Sequence, residues 1–141
     1  MADDSGDFAR SMSIATSGLR AQAGRMRVIS ENIANADSTA ANSTGDPYRR
    51  KVPTFSSALD RTLDARVVTL GRIRPDQSEF RVKYEPSNPP ADAVGNVKYP
   101  NVNPLVEMTD MREAQRSYEA NLNIISATRR MIQRTLDILK A

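Results

Sequence analysis

The sequence predicts a mainly α protein in which long N- and C-terminal helices form an antiparallel coiled-coil-like pair, with a small β-containing insert between them. Three observations carry this: a heptad pattern from Phe8 to Ala36, a second from Pro104 to Leu139, and an irregular, proline-punctuated stretch between them. The segments divide as 1–39 for the N-terminal helix, 40–102 for the loop and insert, and 103–141 for the C-terminal helix.

The first helix rests on spacing. Met12, Leu19, Met26 and Ile33 occupy one seam position and Ala15, Gln22, Ile29 and Ala36 the other, so seven of the eight seam residues are apolar. A 3.5-residue repeat keeps such a seam turned toward a partner helix along its length. The pattern ends at the turn-formers of Asn42-Ser43-Thr44-Gly45-Asp46-Pro47. Asn42-Ser43-Thr44 fits a glycosylation sequon, and without a secretory signal it reads as a turn.

The second helix opens with Asn103 as N-cap and Pro104 at the first helical position, where the missing N–H costs nothing. Its seams are Met108, Gln115, Leu122, Arg129 and Leu136 on one side and Met111, Tyr118, Ile125, Ile132 and Leu139 on the other. Gln22, Gln115 and Arg129 interrupt the seams, either fixing register and partner choice or pointing to water at a loose edge.

In the insert, Phe55, Leu59 and Leu63 at four-residue spacing predict a short helix. Val67-Val68-Thr69-Leu70 and Phe80-Arg81-Val82-Lys83-Tyr84 are β-rich, with Pro75-Asp76-Gln77-Ser78 as a turn between them. Glu85 to Gly95, with Pro86, Pro89 and Pro90, reads as a surface loop. Two terminal helices alone leave apolar seams uncovered, so the isolated chain is expected to be marginally stable and to assemble.

Composition narrows the chemistry. The 141 residues include no His, Cys or Trp, which removes imidazole bases, thiolate nucleophiles and the usual zinc ligands. No nucleotide, dinucleotide, hydrolase or EF-hand motif is present, and no cofactor or metal is expected. Glu107, Glu113 and Glu119 lie six residues apart, about 240° around a helix, and so are expected on a solvated surface rather than converging. The run Arg49-Arg50-Lys51 reads as an anion site or, more commonly, a solvated loop cluster. The net charge of +3 is the small difference of 20 cations and 17 anions spread along the chain, which argues against nucleic-acid binding. Asp3, Asp4 and Asp7 rule out a secretory signal, and no apolar run is long enough to enter a membrane directly.

Particular strings say more. Asn32-Ile33-Ala34-Asn35 with Thr39, then Pro47-Tyr48-Arg49-Arg50-Lys51, the stretch from Tyr84 to Gly95 with Tyr99-Pro100-Asn101-Val102-Asn103, and finally Glu107-Met108-Thr109-Asp110-Met111 with Arg116-Ser117-Tyr118-Glu119-Ala120-Asn121 stand in order along the chain. Together they resemble the proximal-rod branch of the bacterial flagellar rod and hook family, over nearly the whole length.

The resemblance implies a non-enzymatic structural subunit of the basal-body rod. It implies export through the flagellar type III apparatus without a cleaved signal, and partners among copies of itself, other flagellar rod proteins, and membrane-ring and export-gate components at the rod base. The family-motif positions are Asn32, Ala34, Asn35, Thr39, Tyr48, Glu107, Met108, Arg116, Tyr118 and Asn121. Asn32, Asn35 and Thr39 serve either the freed backbone at the end of the first helix or contacts to a neighbouring subunit. The subunit-packing set is Met12, Leu19, Met26, Ile29, Ile33, Met111, Tyr118, Leu122, Ile125, Ile132 and Leu139. The rival readings are a soluble helical-hairpin adaptor or chaperone of the export system, and a carboxylate-dependent wall hydrolase, for which this plan offers no cleft.

Overall fold

A computed structural model describes residues 2–140, with side chains from Gly6 onward; Met1 and Ala141, the outermost residues of the expected segments, lie outside it. Two long helices, α1 (Ala2–Ala34) and α2 (Pro104–Lys140), enclose six short strands in sequence: β1 (Lys51–Val52), β2 (Phe55–Asp60), β3 (Ala65–Leu70), β4 (Arg74–Pro75), β5 (Arg81–Tyr84) and β6 (Asn96–Tyr99). The strands form three two-stranded antiparallel sheets, β1 with β4, β2 with β3 and β5 with β6. The chain folds into two compact units, each drawing on both helices.

The first unit holds α1 to Met26, Thr54–Arg72 and α2 from Glu113. Its β2–β3 hairpin pairs Phe55 with Leu70 through to Asp60 with Ala65. The expected short helix at Phe55, Leu59 and Leu63 is therefore a strand and a turn. Phe55 and Leu59 are four apart, an even number, so period two also puts them on one face. The β-branched partner Val67-Val68-Thr69 then decides for the strand. The turn is held by Asp60, whose Oδ1 accepts from the N–H of Thr62 at 2.9 Å, and Asp64 takes φ of 46°.

Small residues let the elements of this unit approach. Ala15, Ala21, Ala65 and Ala114 are buried. A Cβ on Gly24 would lie 2.7 Å from Leu70 Cδ2, and one on Gly18 would lie 2.9 Å from the Asn121 amide. Polar ties complete it: Arg10 Nε donates to the Leu63 carbonyl at 2.8 Å, the Val68 N–H donates to Ser17 Oγ at 3.2 Å, and Arg25 meets Glu113 at 3.2 Å.

The second unit comprises Arg27–Pro53 and Ile73–Arg112. Its core is Val28, Ile29, Ala36, Val97, Tyr99 and Val102, with Asn32 and Glu107 buried among them. The two β-rich runs of the insert do not pair with each other: β3 belongs to the first unit, and β5 pairs with β6 in the second. Asp76 does turn the chain, its Oδ1 accepting from the Ser78 N–H at 2.9 Å. The loop from Glu85 to Gly95 is built from successive turns and closes at Gly95, whose φ of +88° admits no ordinary side chain.

Helix α2 begins where its cap predicts. Asn103 Oδ1 accepts from the Leu105 N–H at 3.1 Å, with Pro104 as the first helical residue. Its inward rows are Glu107, Ala114, Asn121 and Thr128 alongside Met111, Tyr118, Ile125 and Ile132. The row Met108, Gln115, Leu122, Arg129 and Leu136 stands exposed. Among the described residues, no helix is long and apolar enough to cross a membrane.

Candidate functional site

The densest polar construction in the chain joins the end of α1, the segment 48–51 and the first turn of α2, all within the second unit. Asn32 is 1 % exposed and uses its whole amide. Its Nδ2 donates to the Lys51 carbonyl at 2.8 Å and to Glu107 Oε2 at 3.0 Å. Its Oδ1 accepts from the Lys51 N–H at 2.9 Å and from the Tyr48 hydroxyl at 2.8 Å. One side chain thus pairs with both backbone groups of Lys51, as a neighbouring strand would.

Glu107 is fully buried, and Arg50 Nε donates to its Oε1 at 2.6 Å. The rest of the Arg50 guanidinium lies 3.5 Å from Asp76 and 3.7 Å from Asp110. Burial opposes the charge on Arg50, but the bond and charge of Glu107, then the charges of Asp76 and Asp110, outweigh it and raise its pKa. Asp76 is held below the usual carboxylate range, first by the backbone and hydroxyl of Ser78 and then by Arg50. Tyr48 is pushed up to about 12 by burial, with the charges of Glu31 and Glu107 adding to it.

Neighbouring groups extend the network. The Arg50 N–H donates to Asn101 Oδ1 at 2.8 Å, and Asn101 Nδ2 donates to Ser78 Oγ at 2.9 Å and the Asp76 carbonyl at 3.1 Å. Lys51 pairs with Glu31. Arg49 lies 4.2 Å over the Phe80 ring and donates to the Asp76 carbonyl at 3.0 Å. Each oxygen of Glu107 accepts from a donor on another segment, so this fully buried carboxylate joins segments.

Sequence reasoning placed two of these groups wrongly. Glu107 was expected on a solvated surface, and Arg49-Arg50-Lys51 as a solvated loop cluster or anion site. Each cation of that run instead has partners inside the unit. A signal was available: an acidic residue in the first turn of α2 together with a basic run far upstream permits pairing, although spacing alone cannot show it. Asn101 carried no such signal.

The remaining motif residues scatter. Asn35 Nδ2 donates to the Glu31 carbonyl at 2.8 Å and so closes its own helix. Asn121 Nδ2 bonds the Ser117 carbonyl at 3.0 Å. Tyr118 is half-buried, and Ala34, Thr39, Met108 and Arg116 are exposed. Of the packing set, Ile29 is buried; Met12, Leu19, Met26, Ile33, Met111, Tyr118, Ile125 and Ile132 are half-buried; Leu122 and Leu139 are exposed at 42 % and 65 %. Of the seam interruptions, the Gln22 carbonyl oxygen is buried with no hydrogen-bond partner among the described residues, whereas Gln115 and Arg129 are exposed. Among the described residues, no group of three or more acidic side chains is placed to hold a metal ion.

Long helices at both ends, a polar lock at their junction and large exposed apolar residues define the class. Such features belong to a subunit that packs into an assembly. Two family models give that class its name: the flagella basal body rod protein family matches residues 12–40, and the flagellar basal body rod FlgEFG protein C-terminal family matches residues 93–138. The flagellar basal-body rod protein FlgC of Agrobacterium fabrum is 52 % identical over 91 % of this chain and 92 % of its own. That of Bacillus subtilis is 39 % identical over 92 % and 97 %, and that of Aquifex aeolicus 37 % over 95 % and 98 %. The chain belongs to the FlgC family of flagellar basal-body rod proteins, and its function is that of a structural rod subunit.

Proposed function

We propose that the chain is a non-catalytic subunit of the proximal rod, polymerising with copies of itself and other rod proteins into the drive shaft of flagellum-dependent motility. The observation that carries this is the outer surface of α2. Leu122, Ile124, Met131, Leu136, Ile138 and Leu139 are each 42 % to 76 % exposed on one helix, apolar surface that packing against neighbouring subunits would cover.

In this reading the terminal helices pair antiparallel and form the inner layer, as segments 1–39 and 103–141, and segment 40–102 makes side-to-side and outer contacts. Support for the antiparallel sense comes from contacts inside each unit. Gly18 faces Asn121 and Arg25 meets Glu113 in the first, and Asn32 meets Glu107 in the second, so rising numbers on α1 meet falling numbers on α2. The subunit-packing and motif residues named from the sequence, apart from the buried Ile29, Asn32 and Glu107, are proposed to line the contacts, and the membrane-ring and export-gate components to meet the chain at the rod base. Export without a cleaved signal fits a chain lacking Cys, hence free of disulfides that would bar passage through a narrow channel.

Mass spectrometry of purified hook–basal bodies, from wild type and a deletion strain, tests the reading. The expected result is the chain in stoichiometric amount, with rod and hook lost on deletion. Intact basal bodies without the chain would sink it.

A further inference from the structure

The outer edges of β2 and β5 present outward backbone groups with no hydrogen-bond partner among the described residues, and these two edges match. In the first unit, Gly71 N–H bonds the Thr54 carbonyl at 2.6 Å, while the next odd-even step is marked by Val68, whose N–H turns out of the hairpin to Ser17. Residues across from each other alternate between inward and outward backbone groups. Ser57, paired with Val68, therefore points its N–H and carbonyl out of the β2 edge, as do Phe55 and Leu59. None of these groups has a hydrogen-bond partner among the described residues.

The same arithmetic holds in the second unit. Glu85 N–H bonds the Gly95 carbonyl at 2.8 Å, so Val82 and Tyr84 point their backbone groups out of β5. On the opposite strand the outward groups of Asn96 are already taken by Asp92, at 2.9 and 2.8 Å. On β6 that leaves Lys98 alone with outward groups, whereas β5 offers Val82 and Tyr84 in succession. The outward residues are also the exposed apolar ones: Phe55 43 %, Leu59 56 %, Val82 59 % and Tyr84 70 %. Soluble proteins guard such edges with Pro, Lys or a bulge, and Phe55–Asp60 has none of these.

We propose that β2 of one copy adds antiparallel to β5 of a second copy, with Leu59 opposite Val82 and Ser57 opposite Tyr84; the proposal rests on the rod-subunit reading. Charge favours β5 as the partner, and the outward backbone groups select the register. Asp60 lies opposite Arg81 here and opposite Lys83 after a two-residue slip one way, but that slip sets Ser57 against Pro86, which has no N–H to donate, and the slip the other way sets Asp60 against Glu79. Pairing β5 with itself, Val82 opposite Tyr84, brings Lys83 against Lys83. Pairing β2 with itself is isologous and closes a dimer, while joining two different edges is heterologous and leaves a free edge of each kind at the ends. An open contact is what a growing rod requires.

Absence of Cys makes the test clean. Ala58 and Lys83 fall in a non-hydrogen-bonded pair, with Cα atoms about 4.5 Å apart, inside disulfide range. Both are exposed, and Ala58→Cys and Lys83→Cys chains are first checked for wild-type circular dichroism. Basal bodies carrying the double variant are oxidised and run on a non-reducing gel, with a second pair, Ser56→Cys with Glu85→Cys, from the same register. The expected result is dimers and a ladder from each double variant and monomers from each single variant. Double variants present in basal bodies but monomeric would overturn the strand addition, as would dimers from Ala58→Cys alone, which report β2 paired with itself. Basal bodies lacking even the wild-type chain would overturn the rod reading and the inference with it.

Discussion

At the scale of single residues, Glu107 is the side chain on which the second unit depends. Its carboxylate is buried with Arg50 and Asn32 as donors, so removing it leaves an amide N–H of the buried Asn32 unmatched and takes from the part-buried Arg50 its closest acid. Glu107→Ala is expected to cost about 3–5 kcal/mol, the usual result of breaking a buried pair from one side. Urea unfolding followed by circular dichroism measures it, and the double replacement Arg50→Met with Glu107→Leu should be milder than Glu107→Ala. Tyr48 supplies a second prediction. Its folded pKa of about 12 lies above the ordinary 10 because burial and the charges of Glu31 and Glu107 disfavour the phenolate. The contribution is complete below pH 10 and is lost as pH rises through about 12. An ultraviolet titration should therefore show a late tyrosine ionisation, accompanied by loosening of the second unit, and Tyr48→Phe should abolish that step. The motif strings pointed to these residues, but their bonds join positions 16 to 75 apart in sequence, which no local pattern encodes.

At the scale of elements, both long helices were legible because caps and heptads are local. Asn103→Ala tests the cap: losing the bond to the Leu105 N–H should cost about 1 kcal/mol, visible as a lower urea midpoint with an unchanged slope. The choice of inward row on α2 was less legible. Apolarity favoured Met108, Leu122 and Leu136, but the inward row is Glu107, Ala114, Asn121 and Thr128, one position earlier. Close approach explains the shift. Gly18 lets the Asn121 amide come within what a Cβ would occupy, and Ala114 is wholly buried, so small and polar groups take this row while Met108, Leu122 and Leu136 face out. Strand content at 55–60 was misread for a related reason, since a four-residue spacing fits both periods and only the distant partner strand decides. Gly95 shows the same dependence on context: at φ +88°, with the Tyr84 ring 2.8 Å from any added Cβ, Gly95→Ala is expected to destabilise the β5–β6 hairpin by about 1 kcal/mol or more, read in the same urea experiment.

At the scale of the whole molecule, the seam shift separates stability from assembly. Leu122 is exposed in the monomer, whereas Ile125 is half-buried on the inward row of the first unit. A charge at Ile125 strikes both folding and assembly, because an aspartate there is taken out of water even in the isolated chain. A charge at Leu122 meets water in the isolated chain, and exposed substitutions of this kind usually change stability by less than about 0.5 kcal/mol. In a packed rod the same aspartate faces an apolar neighbour without a partner. Leu122→Asp should therefore unfold in urea like the wild type yet fail to enter basal bodies and abolish motility, while Ile125→Asp loses both. Swimming cells with Leu122→Asp in their rods would mean that this face of α2 stays in water after assembly, and the apolar surface that argues for polymerisation would need another neighbour.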